Sequence, residues 1–139
     1  MVPKGKRNTG KLAVIDKAYD LLENTYAWVA NDKIIPNRHK YSIGKDILNL
    51  TLSLHNNLIF ANNTKFNTLD DFLARRNFQQ NASNDLCALN SLVNMSFHMF
   101  NIKDSTQSIW SGLLNDIGKL LEGWIKSDSL RFEKLNKAV

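Results

Sequence analysis

Between residues 12 and 127 apolar side chains return every three or four positions, and no stretch sustains the every-second-residue alternation of a half-buried strand. That rhythm predicts helices and no sheet. In the first segment Leu12, Ile15, Tyr19, Leu22, Tyr26 and Val29 step by three and four, the spacing of a seam that faces a neighbouring helix. In the second, Ile43, Ile47, Leu50, Leu54 and Leu58 form one stripe, and Leu48, Leu52 and Ile59 widen it toward a second neighbour. Two further periodic stretches, LDDFLARRNF and NDLCALNSLVNMSFHMF, flank the weaker helix formers QQNASN. They read as one long helix with an optional interruption at residues 79–84.

The ends of these segments are marked. Pro36 disfavours a helical conformation in Ile35 and closes the first helix. Thr68-x-x-Asp71 resembles a capping box with Asp in place of Glu. Asp104-Ser105 are good N-cap types for the last helix. The spacing therefore predicts helices over about 11–32, 40–62, 69–101 and 105–127. Short connections between long helices imply antiparallel neighbours, so the expected fold is all-α, an antiparallel up-down four-helix bundle over 11–127. Residues 1–10 read as a flexible basic arm, and 128–139 as a basic tail or an extension of the last helix. Asparagine is as numerous as lysine and arginine together. Its modest helix propensity makes these helices dependent on tertiary or subunit packing.

Charge narrows the function classes. The 139 residues carry a net charge of +5, which points mildly to an anionic partner such as nucleic acid. The excess is not uniform. Lys33, Arg38, Lys40 and Lys45 lie in one connection with no acid from Lys33 to Lys45, and Lys4, Lys6, Arg7 and Lys11 crowd the start. Lys126, Arg131, Lys134 and Lys137 crowd the end. No apolar run is long enough for a membrane span, so no membrane partner is expected. A basic start with no apolar segment behind it, and a single cysteine, fit a cytoplasmic protein.

Catalytic patterns are missing. GKRNTGKL, Gly5 to Leu12, approaches a phosphate-binding loop but has leucine where magnesium needs a hydroxyl, and no strand precedes it. His39, His55 and His98 are far apart and pair with no carboxylate at ligand spacing, so neither a metal nor another cofactor is expected. Cys87, between Leu86 and Ala88, reads as a small core residue. No Arg–His pair sits at the spacing of the helical RNases, and no triad or carboxylate pair stands out. The expected protein is not an enzyme. Arg75 and Arg76 read either as a grip on phosphates or a partner's acids, or as solvated side chains beside Asp70 and Asp71.

Three stretches together, AYDLLENTYAWV, IPNRHKYSIGKDILNLTLSLHNNLIFANN and LNDIGKLLEGWIKS, resemble the accessory variability determinant (Avd) proteins of diversity-generating retroelements. Those belong to a wider group of bacterial four-helix-bundle proteins that includes the products of 23S rRNA intervening sequences. The similarity spans about residues 12–127 and rests most on the terminal helix, where this chain reads DIGKLLEGWI. The rRNA relatives carry an S-I-P-x-N-I-A-E-G run late in the second helix; LTLSLHNNLIFANN here favours the retroelement branch.

The resemblance implies a non-catalytic, barrel-like homo-oligomer, a pentamer. It would bind the element's reverse transcriptase and its RNA or DNA during the mutagenic cDNA synthesis of retrohoming. The alternative it leaves is a basic RNA-binding bundle of the rRNA-intervening type with no polymerase partner. Family members often carry arginines four residues apart on the third helix, and the matching positions here are Asn90 and Asn94. The expected binding surface is therefore Lys33, Arg38, Lys40, Lys45, Arg75 and Arg76 together with Asn90 and Asn94. In DIGKLLEGWIKS two glycines interrupt a helix at about 1 kcal/mol each. Gly118 is expected at a close helix–helix approach. Gly123 either makes room for the Trp124 indole or an adjoining subunit, or is simply tolerated.

Overall fold

The computed structural model describes residues 10–137, with side chains from residue 13 onward. The arm at residues 1–9, most of GKRNTGKL and residues 138–139 lie outside the described residues. Four α-helices are present among the described residues, and no strand: α1, Gly10–Ala30; α2, Lys45–Asn63; α3, Leu69–Met99; and α4, Asp104–Lys137. Between α1 and α2 the chain makes a 3-10 turn, Asn37–His39, and a π-helical turn, Lys40–Gly44.

Contacts fix the directions. Tyr19 meets His55, and Val29 approaches Gly44, so α1 and α2 are antiparallel. Phe60 packs on Phe78 while Ser53 bonds Asp85, which reverses α3 against α2. Phe97 meets Trp110 and Phe72 meets Phe132, which reverses α4 against α3. Trp28 on Trp110 and Lys17 near Asp116 close the ring between α1 and α4. The result is an up-down four-helix bundle whose core has Leu21, Ile47, Leu54, Leu89, Trp110 and Ile117 among its largest sealed apolar side chains.

Several boundaries move from those the periodicity predicts. The π turn occupies the predicted start of the second helix. The third is one unbroken helix through residues 79–84, because Gln79 and Ala82 are buried and tertiary contacts override the poor propensity of QQNASN. Its capping box is real: Thr68 Oγ1 accepts from the Asp71 amide at 3.1 Å, and Asp71 Oδ2 accepts from the amides of Thr68 and Asn67. It stops at Asn101, whose φ of 49° is a left-handed conformation that asparagine tolerates better than most residues. The fourth helix continues past Ser127 through Lys137, fastened by Phe132 stacked on Phe72 at 4.2 Å.

The seam of α1 is also displaced. Among its described side chains the buried ones are Val14, Ala18, Leu21, Thr25 and Val29, so the predicted series from Ile15 onward is rotated by about one position and coincides at Val29; Leu12 lies outside the described side chains. Tyr19 and Tyr26 are 48% and 57% exposed. Both series have helical spacing; the one with the smaller residues faces the core, where close helix approach needs them.

Candidate nucleic-acid interface

The corner between α1 and α2 is closed by hydrogen bonds that converge on Asn31. Asn31 accepts from the amides of Ile34 and Ile35 through its carbonyl, and its side-chain oxygen accepts from the Lys33 amide at 3.0 Å. Ile35 is then fully buried, which anchors the loop to the core. Pro36 precedes the 3-10 turn, and its carbonyl accepts from the His39 amide at 2.8 Å. Gly44 ends the π turn against α1: a Cβ there would sit 2.9 Å from Val29 Cγ1. Glycine is needed here for close approach, and the sequence reading missed it.

The four cations expected in this connection do not share one fate. Lys40 is spent on the corner itself, its Nζ donating to the Ala30 carbonyl and pairing with Asp32. Lys33 and Lys45 are exposed and have no ion pair among the described residues. Arg38 is exposed and donates from Nε to His39 Nε2 at 3.1 Å; the His39 ring in turn lies 5.0 Å from Phe100 on the end of α3. Arg38 therefore keeps its charge for solvent while its guanidinium is held in place. Asp46 and Asp104, in the first turns of α2 and α4, lie at the same end of the bundle and temper the field.

Arg75 and Arg76 are placed quite differently. Arg75 is 5% exposed, and its Nη2 donates to Asp128 Oδ1 at 3.2 Å. Its Nε lies 2.8 Å from Asp128 Oδ2 but off the N–H line, so that arm acts as charge rather than as a hydrogen bond. Gln79 Nε2 donates to the same Oδ2 at 2.8 Å. The guanidinium lies 5.1 Å from the centres of both the Phe66 and Trp124 rings. Arg76 bonds Ser129 Oγ and the Ile125 carbonyl and sits over Phe72. Neither arginine is the free phosphate grip or the solvated side chain expected; together they clasp α3 to α4.

The remaining sites divide as follows. Asn90 and Asn94, one turn apart on α3, are half-buried and exposed respectively and make no side-chain hydrogen bond among the described residues. They lie in the last third of their helix, toward the end of the bundle that carries the corner. Trp124 is buried as a packing residue, under Arg75. Gly118 is not at a forced approach: an added Cβ would meet Leu86 Cδ2 at 3.5 Å, an ordinary contact. Gly123 is exposed with nothing within 4 Å of such a Cβ, so it makes no room for the indole. Cys87 is exposed, not a core residue, because Leu86 and Leu89 take the inward positions of that turn.

A second basic surface runs along the outer face of α4, where Lys126, Leu130 and Lys134 line a shallow groove with Gly123. Arg131 also lines it and lies 4.3 Å from the Phe66 ring centre. Among the described residues no three metal-ligating side chains cluster, and no helix is long and apolar enough to cross a membrane.

The corner's most prominent side chain was not anticipated. Tyr41, in the π turn, is 89% exposed. A signal was available in RHKYSIGK, an aromatic set between cations, although the turn that extrudes it leaves no periodic trace. Comparison with protein-family models, curated proteins and solved structures found no match.

Proposed function

We propose that this chain is a non-catalytic, self-associating nucleic-acid-binding protein that serves as the accessory subunit of a retroelement reverse transcriptase, of the Avd type. The observation that carries the reading is the α1–α2 corner, where Lys33, Arg38 and Lys45 keep exposed charge on a rigid, anchored turn. Exposed cations on a fixed frame bind a phosphate backbone with little ordering cost. The polymerase and its template would meet the bundle there, with Asn90 and Asn94 adding hydrogen bonds rather than charge.

Self-association is supported by the displaced seam. Tyr19, Leu22 and Tyr26 form a ridge on α1 outside the chain's own core cluster. Tyr19 touches His55 on α2, and Leu48, Leu52 and Ile59 fall on the same helix face as His55. An apolar groove of this kind between two helices suits another copy of the bundle, as a homopentamer or another closed ring.

Co-expression with the polymerase of the same element, followed by purification and mass measurement, tests both parts. The expected result is an oligomer of this chain that carries the polymerase. An oligomer that binds RNA and no polymerase would assign the rRNA-intervening type instead. A monomer at micromolar concentration would contradict the assembly and with it the Avd reading.

A further inference from the structure

We propose that Tyr41 is a stacking platform for an unpaired base, so that the corner takes single-stranded nucleic acid in preference to duplex. The inference rests on the nucleic-acid reading above and specifies its ligand. A tyrosine 89% exposed on an ordered turn has no packing role that would retain it there. The turn itself is rigid. Gly44 is pressed against Val29, Ser42 Oγ donates to the His39 carbonyl at 3.2 Å, and His39 rests on Phe100. Holding the backbone of the turn in advance leaves only the tyrosine's own side-chain torsions to be ordered on stacking.

The charges around it supply the second element of a single-strand site. Arg38 and Lys45 are three positions before and four after Tyr41, and both are exposed with no ion pair among the described residues. Lys40 is turned back to Asp32 and Ala30, which leaves the ring face clear of its own neighbour. Cations that follow a backbone, set beside an aromatic ring that meets a base, describe how single strands are bound without sequence preference. A duplex offers no free base face to the ring. A π turn is, moreover, a local departure from the α-helix that tends to occur where a side chain must be presented.

The test is titration of the full-length protein with a fluorescent single-stranded RNA and with its duplex, comparing wild type, Tyr41→Phe, Tyr41→Ala and Lys45→Ala. At 89% exposure, removing the ring leaves the fold intact, which circular dichroism checks. Tyr41→Ala is expected to weaken single-strand binding about tenfold while leaving duplex binding and the salt slope unchanged. Tyr41→Phe should bind as wild type, and Lys45→Ala should lower the salt slope for single strands by about 0.7.

Equal wild-type affinity for the two forms, unaltered by Tyr41→Ala, would overturn the stacking role and leave the nucleic-acid reading standing. Wild-type protein that binds neither form would overturn both. Lost co-purification of a polymerase in Tyr41→Ala, with RNA binding unchanged, would make Tyr41 a protein contact and also overturn the proposal.

Discussion

Arg38 and Arg75 are the same residue type in the same basic chain, and they occupy opposite situations. Arg38 stands on the α1–α2 corner, exposed and braced by His39. Arg75 lies between α3 and α4, almost without solvent contact, with its charge matched by Asp128. Desolvation makes the difference. A cation taken out of water needs a close anion and further hydrogen bonds, which Asp128 and Gln79 provide, and nothing then remains for a ligand. A cation left in water on a fixed turn costs the fold little and stays available. Local charge density therefore says less about a binding surface than the partner each charge already has.

The contrast is broken most severely by removing Asp128. Asp128→Ala leaves Arg75 and the Gln79 amide buried without an acceptor, and should cost about 3–5 kcal/mol in urea unfolding. Arg38→Ala, measured alongside, should change stability by no more than about 0.5 kcal/mol. Comparable losses from the two would mean that the corner arginine is structural after all.

A smaller effect separates the glycines. Gly44→Ala forces a methyl into Val29 and should destabilise by about 1–3 kcal/mol, with the π turn distorted and Tyr41 redirected. Gly123→Ala meets nothing and should instead stabilise by about 1 kcal/mol, a shift readable in the denaturation midpoint. If Gly123→Ala destabilises the assembled protein but not a dissociated variant such as Tyr19→Glu with Leu52→Glu, Gly123 lies against another subunit.

The smallest effect expected is a pH dependence. Burial pushes the His55 imidazole below its ordinary range, against a weaker opposing hydrogen bond with Asn56. A histidine whose folded pKa is lowered stabilises the fold fully above its unfolded value of about 6.5. That contribution declines as pH falls from there through the folded pKa. The urea midpoint should therefore drop on acidification from pH 7.5 to 5, by less in His55→Gln. An identical drop in both proteins would assign the acid sensitivity elsewhere.

The architecture was legible where the signal is local. Helical period, Pro36, the Thr68–Asp71 box and the Asp104 start all depend on residues within a turn of one another, and each element exists where they point. The facing of α1 was not legible, because Leu12–Ile15–Tyr19 and Val14–Ala18–Leu21 have equally good spacing and only the neighbours choose between them. The candidate site was legible as a connection and not as a set of side chains. Lys33, Arg38 and Lys45 are exposed there as expected, but Lys40 pairs with Asp32 across the corner. Arg75 meets Asp128 across 53 positions, a distance at which no pattern in the chain speaks. Tyr41 escaped notice because a π turn, not a period, brings it out.

The salt dependence of single-stranded RNA binding tests the central claim most directly. Wild-type protein should lose affinity steeply between 50 and 200 mM salt. The triple variant Lys33→Ala, Arg38→Ala, Lys45→Ala should lower the slope of log affinity on log salt by about 2, since each phosphate contact on a single strand contributes about 0.7. An unchanged slope in the triple variant, with the slope falling instead in Lys126→Ala, Lys134→Ala, would place the nucleic acid on α4 and contradict the account.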